Sequence, residues 1–327
     1  MLSIFRTNQF FANILLFFYA AFLRLSLFIV PSEWASTSKG VWSNWVFHKI
    51  EMPSIQASIL VILLVSIQGI LINYIVNKYR MLKNVSLFPG AIYILLTSLI
   101  PDFLYLSPIL MGTTFWIIAL YQLFEVYKKY SCADNIYNVG FFTAVASLFY
   151  FSFSIFLLFV LFALSILRAF KVKESLMLLI GFITPYFLTF TYYYWNDKEA
   201  FFLQKQIYNN IAFLDFIPTD RFTLYIAAGL FSFLLLLTIF NYRSYGFRKN
   251  IRVQKNVDVL FIALMASVFT LSIQAGISIP HLLLLAVPLA VFLAISLEKM
   301  SPQMAEVVHL LLLVLALGWQ FLPLLPV

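Results

Sequence analysis

The stretch Gln56-Ala-Ser-Ile-Leu-Val-Ile-Leu-Leu-Val-Ser-Ile-Gln-Gly-Ile-Leu-Ile-Asn-Tyr-Ile-Val76 decides the fold class. It carries no charged side chain and has the ~20 residues a helix needs to cross a bilayer core at ~1.5 Å per residue. Lipid offers no hydrogen-bond partner to an open backbone, so such a run must be helical. Comparable runs lie at 10–30, 89–101, 108–124, 139–150, 152–167, 175–195, 222–240, 259–276, 280–297 and 307–325. They predict an all-α, polytopic transmembrane bundle of about eleven helices, a single integral membrane domain over 1–327. The runs 89–101 and 139–150 are short, which predicts half-buried or tilted helices. Reading 139–167 as one long bent helix is the alternative.

Composition agrees. The chain is 63% hydrophobic and 10% charged, where soluble domains carry ~25% charged residues. Its 37 Phe exceed what a core needs and read as lipid-facing. The single cysteine, Cys132, excludes a disulfide framework and a cysteine metal cluster.

The charges give orientation. With the N-terminus placed in the cytoplasm, fifteen Lys and Arg fall in inner segments and five, Lys39, Lys49, Lys198, Lys205 and Arg221, in outer loops. Arg24 lies inside the first span. This follows the positive-inside rule across all eleven runs and puts the C-terminus outside, at a cell inner membrane. The net charge of +8 therefore records topology and contact with membrane lipid. The basic residues are spread over several short loops, so no nucleic-acid partner is expected. The apolar run of the first span is too long for a signal peptide and predicts an uncleaved anchor.

The residues that invite chemistry lie in the predicted outer segments. In loop 31–55, Val41, Trp42, Trp45, Val46 and Ile50 share a helical stripe, with Ser43, Asn44, His48 and Lys49 off it. This predicts a short amphipathic helix in the membrane interface. Its plain role is an aromatic anchor; its functional role would be to line a lipid-linked substrate site. Glu33 and Asp102 fall on the same face, and their plain reading is ordinary loop carboxylates. Ser107-Pro108 is an N-cap and first-turn pair. Asp102, read as the end of a helix, opposes the macrodipole and calls for a cation. Arg24, about 9 Å inside the span, either snorkels outward or faces the bundle with Asp102 or a phosphate as counter-charge. Gln68, Asn73 and Asn77 on the second span suit interhelical hydrogen bonds. No P-loop, dinucleotide fingerprint, His-Glu-x-x-His or Cys-x-x-Cys is present.

Two resemblances follow. Gly-Ile-Leu-Ile-Asn-Tyr-Ile-Val-Asn-Lys-Tyr at 69–79, Ser-Leu-Ile-Pro-Asp-Phe-Leu-Tyr-Leu-Ser-Pro at 98–108, Ser-Leu-Phe-Tyr-Phe at 147–151 and Pro-Tyr-Phe-Leu at 185–188 resemble an uncharacterised bacterial integral membrane family, which implies no activity. The order of first helix, acidic outer loop, interfacial helix and second-loop acid is similar to the GT-C superfamily of membrane glycosyltransferases, over roughly the first seven helices. That resemblance implies a polyprenyl-phosphate-linked sugar donor at the outer face. It implies Glu33 as catalytic base and Asp102 as its assistant or a ligand of a divalent metal. Arg24, His48 and Arg221 would then bind phosphate or substrate. Departures are a lone Glu33 between Ser32 and Trp34, no large outer domain and a short chain. The rival expectation is a non-enzymatic subunit of an envelope assembly, or a lipid or solute carrier broken at Thr184-Pro185.

Overall fold

A computed structural model describes residues 10–29, 40–50, 54–169, 171–213, 221–246, 250–273, 275 and 278–321. The elements are α1 (Phe10–Leu23), α2 (Ser26–Ile29), α3 (Val41–Lys49), α4 (Ile55–Lys78), α5 (Phe88–Leu96), α6 (Pro108–Glu125) and α7 (Ala133–Phe149). They continue with α8 (Phe156–Leu167), α9 (Val172–Trp195), α10 (Glu199–Gln206), α11 (Arg221–Gly246), α12 (Ile251–Thr270), α13 (Ala286–Lys299) and α14 (Pro302–Phe321). Short 3-10 turns occupy Pro101–Phe103, Phe151–Ile155, Tyr208–Asn210 and Ile279–Leu285. No strand occurs among the described residues. Among the described residues, seven helices are long and apolar enough to cross a membrane: α4, α6, α9, the Thr223–Tyr242 part of α11, α12, the continuous run Ile279–Lys299 and α14. Asn13–Leu23 and Phe151–Leu167 are shorter apolar helices.

Side-chain contacts define two ends of the bundle. Arg168, just past α8, donates to the Lys129 carbonyl at 3.2 Å and to Cys132, which precedes α7. The chain therefore reverses at Tyr150, and 139–167 is two antiparallel helices rather than one bent helix. Lys78 at the end of α4 pairs with Glu125 at the end of α6 at 2.5 Å. Lys299, ending α13, donates to the Ser244 carbonyl near the end of α11 at 2.6 Å. These contacts gather lysines and arginines at one end, called here the basic end. At the other end α1, α5 and α14 finish together.

The run 89–101 holds a helix only from Phe88 to Leu96, and all nine residues of α5 are buried. At ~1.5 Å per residue it spans about 14 Å, so its ends sit inside protein. Side chains of α4 satisfy it. Asn77 Nδ2 donates to the Ser86 carbonyl at 3.0 Å, and Asn77 Oδ1 accepts from Ser86 N. Asn73 Oδ1 accepts from Gly90 N at 2.7 Å, and Gln68 Oε1 from the Tyr93 hydroxyl at 2.6 Å. Gln68 Nε2 continues to the Leu110 carbonyl and Thr114 of α6. The polar stripe of α4 is thus a zipper of interhelical hydrogen bonds, each worth roughly 0.6 kcal/mol in a bilayer.

The helices differ in what they face. The window Ile279–Lys299 is 83% buried, whereas that of α9 is 22% buried. On α9, Leu176, Ile180, Ile183, Phe187 and Leu188 stay exposed, an apolar surface that water would not tolerate and lipid does. Its inner edge meets α7 at two glycines. A Cβ on Gly140 would collide with the Leu178 carbonyl, and one on Gly181 with that of Tyr137. The small residues let the two backbones touch. α9 runs unbroken through Pro185, so Thr184-Pro185 is no break. Breaks occur instead at the 3-10 turns leading into α8 and α13.

Candidate functional site at the Asp102 end of the bundle

The first span ends in a turn. Beyond Leu23 the backbone bonds tighten to i→i+3, with Arg24 N donating to the Ala21 carbonyl and Leu25 N to that of Phe22. Arg24 occupies this break and is fully buried. Its Nη1 donates to Ser98 Oγ at 2.8 Å, and Nη2 to the Thr97 carbonyl at 3.0 Å and Thr97 Oγ1 at 3.2 Å. Arg24 therefore does not snorkel, and its counter-charge is not Asp102. Carbonyl and hydroxyl dipoles at the C-terminal end of α5 hold the guanidinium, where a cation suits the helix dipole. Gln320 completes the clasp: Nε2 donates to the Ser98 carbonyl at 2.7 Å and Oε1 accepts from Ser26 Oγ at 2.9 Å.

Asp102 lies four residues beyond Ser98, in the first turn of Pro101–Phe103. Its place is the start of a 3-10 turn rather than a helix C-terminus, so the dipole conflict does not arise. It is half-buried. Burial pushes its carboxyl above the ordinary value of 3.8, against a weaker opposing hydrogen bond from its own backbone. Among the described residues it pairs with no cation. Ser107 caps α6 as expected, accepting from Leu110 N at 3.2 Å.

Helix α3 is present over the expected residues. Val41 and Ser43 are buried, while Trp45, His48 and Lys49 are exposed. Ser43 faces inward because its hydroxyl bonds both the N–H and the carbonyl of Gly40. Gly40 lies so close to the Leu148 and Phe149 carbonyls that a Cβ would collide with them. Gln206 supplies the second tie. Its Oε1 accepts from Val41 N at 2.9 Å and its Nε2 donates to the Ser147 carbonyl at 2.8 Å. Trp42 packs edge-on against Phe149 at 5.5 Å, and Lys49 Nζ sits 4.1 Å from the Trp45 ring centre.

Between this helix and α9 runs a groove of about 670 Å³ lined by Trp42, Trp45, Val46, Phe149, Leu188, Thr189, Tyr192 and Tyr193. Such volumes suit small-molecule sites, ~300–1,000 Å³. Nearby, His281 is buried with both ring nitrogens engaged, Nδ1 with the Tyr150 hydroxyl at 2.7 Å and Nε2 with Thr270 Oγ1 at 2.8 Å.

Of the expected site residues, Glu33 lies outside the described residues. Arg221 opens α11, and its side chain lies outside them too. His48 is exposed, is not among the groove-lining residues and makes no hydrogen bond among the described residues. No group of three His, Cys, Asp or Glu able to hold a metal occurs among the described residues. Sequence reasoning passed over Gln206 and Gln320. A lone glutamine in the apolar run 307–325 is a usable signal, since buried amides in membrane helices seek partners. Gln206 sits in a polar stretch, Gln204-Lys205-Gln206, with nothing to single it out.

No family model, curated protein or solved structure matches the chain.

Proposed function

We propose that this chain holds a lipid-linked substrate at the outer face of a cell inner membrane, and that it is a GT-C-like glycosyltransferase using a polyprenyl-phosphate-linked sugar. The observation that carries the reading is the aromatic groove beneath the anchored helix α3. A helix tied down by Gln206 and Gly40 makes one wall rigid, and Trp and Tyr suit the interface level of a bilayer. In this reading the chain crosses the membrane about eleven times, with its N-terminus cytoplasmic and its C-terminus outside.

The chemistry is displacement at the anomeric carbon. The acceptor hydroxyl forms a new C–O bond, the polyprenyl phosphate leaves with the electron pair of the old one, and a carboxylate takes the hydroxyl proton. Asp102, its proton affinity raised by burial, is suited to that task. Glu33 and Arg221 are the second acid and the phosphate partner. Arg24 acts as a positioning residue, through the Thr97–Ser98 turn that leads to Asp102.

The full chain, reconstituted with a photoreactive polyprenyl phosphate, should label along the groove. Thr189→Trp fills the groove and should cut labelling roughly tenfold; unchanged labelling would remove the groove from the reading. Asp102→Asn should slow sugar transfer by at least about 100-fold. A second reading, a lipid-binding subunit without catalysis, is favoured by both terminal nitrogens of Arg24 being held by Thr97 and Ser98. Labelling without transfer from any donor of a polyprenyl-phosphate-sugar panel selects it.

A further inference from the structure

The opposite, basic end holds a second cavity, of about 520 Å³, lined by Tyr127, Lys128, Lys129, Leu167, Arg168, Ile251 and Lys255. Two lining lysines approach one ring there, and Arg252, which lies nearer the Tyr79 ring at 5.0 Å, adds a third cation outside the lining. Lys128 Nζ lies 5.7 Å, Lys255 Nζ 5.5 Å and Arg252 Cζ 5.9 Å from the Tyr127 ring centre. Of the carboxylates at this end, Glu174 pairs with the lining residue Arg168 at 3.2 Å, Glu125 pairs with Lys78 at 2.5 Å, Asp258 accepts from the Tyr242 hydroxyl at 2.5 Å, Glu298 accepts from the Lys83 and Asn84 amides, and Asp134 is exposed. Lys128, Lys255 and Arg252 have no carboxylate at salt-bridge distance among the described residues. Like charges gathered this closely repel one another unless an anion joins them.

Two features of the backbone add to this. Lys128 has φ 55°, a left-handed conformation that an L-residue adopts at a cost, and it places a cation on the cavity rim. The 20-residue helix α12 begins at Ile251 on the cavity wall, and its N-cap Asn250 makes no side-chain capping bond. Its first-turn amides and dipole favour negative charge at that point.

We infer that this cavity binds the phosphate headgroup of an anionic membrane phospholipid. A phosphate is the chemistry that several ammonium groups and the amides of a helix N-terminus share. The lipid source follows from the surroundings. Leu167 and Ile251 give the cavity an apolar side, and Ile251 is 65% exposed. Along α8, Leu158, Phe162 and Ser165 form an exposed stripe leading to this end, a track for acyl chains. Basic pockets between membrane helices bind lipid headgroups by the same balance of forces. The site is independent of the groove at the Asp102 end.

Native mass spectrometry of the full chain, released from micelles doped with phosphatidylglycerol or phosphatidylcholine, tests this. Phosphatidylglycerol should be retained in preference. Lys128→Gln with Lys255→Gln should weaken it about fivefold per lysine, roughly twenty-five-fold together. Lys83→Gln, at the same end but outside the cavity, should leave it unchanged. An unaltered melting temperature of the double variant in phosphatidylcholine micelles shows that its fold is intact. Equal retention of the two lipids overturns the inference, as does an equal loss with Lys83→Gln, which would mean diffuse surface charge. Displacement of the lipid by millimolar inorganic phosphate at constant ionic strength also overturns it, in favour of a soluble anion.

Discussion

Arg24 binds the Thr97–Ser98 turn and Asp102 lies four residues beyond Ser98, yet the two charges meet different fates. Arg24 is wrapped by Thr97, Ser98 and, through Ser98, Gln320, while Asp102 reaches the edge of the protein and keeps a half-buried carboxyl. The difference yields a pH prediction. The folded chain holds the Asp102 proton more tightly than the unfolded chain does, so the stability linked to that proton is complete below the ordinary value of 3.8. It is lost as pH rises through the raised folded value. Asp102→Asn stays neutral throughout. In detergent, its melting temperature should exceed that of the wild type at pH 7, and the gap should close as pH falls to about 4. A constant gap across that range would mean that Asp102 is not held in a desolvating site.

Helices α3, α7, α9 and α10 form one unit, tied by glycines and by a single amide. Gln206→Leu removes the acceptor for Val41 N–H and the donor for the Ser147 carbonyl. Leaving buried partners unpaired costs about 1–3 kcal/mol. The expected outcome is faster amide hydrogen exchange across 41–49, with the remaining helices unaffected. Gly140→Leu and Gly181→Leu force α7 and α9 apart, a strain of about 1–3 kcal/mol or more, and should lower the melting temperature. Gly229→Leu should not, because a Cβ there meets nothing within 4 Å. If all three glycine variants melt alike, the close approach of α7 and α9 carries little of the stability.

Across the whole molecule, charge and contacts agree on two ends. The basic end carries the Lys78–Glu125 pair and the cations around Tyr127, and the other carries Arg24, Asp102 and α3. If the bundle spans a bilayer in the orientation the charges predict, the two ends face opposite compartments. In a Cys132→Ala background, His48→Cys should react with an impermeant maleimide from the outer side of sealed vesicles, and Lys83→Cys only from the inner side. Labelling of both from one side would refute the alternation.

Much of this was legible in the residues themselves. Uncharged apolar runs of about twenty residues force helices, because an unpaired backbone in lipid costs several kcal/mol per group. The period of the 41–50 stripe marked α3, Ser107-Pro108 marked the start of α6, and Asn73 and Asn77 marked the face of α4 that packs on α5. These signals are local, set by neighbours three or four residues away. The partners of Arg24, the inward turn of Ser43, the latch at Gln206 and the cations near Tyr127 join residues far apart in the chain. Spacing along the chain says nothing about which distant dipole a buried charge will meet. For Arg24 the sequence by itself determined only that a charge would lie within the first apolar run, with snorkelling outward and facing the bundle both open. Only the tertiary structure decided that the end of α5, and not a carboxylate, would hold it, because solvation of a buried cation depends on the dipoles that packing brings around it.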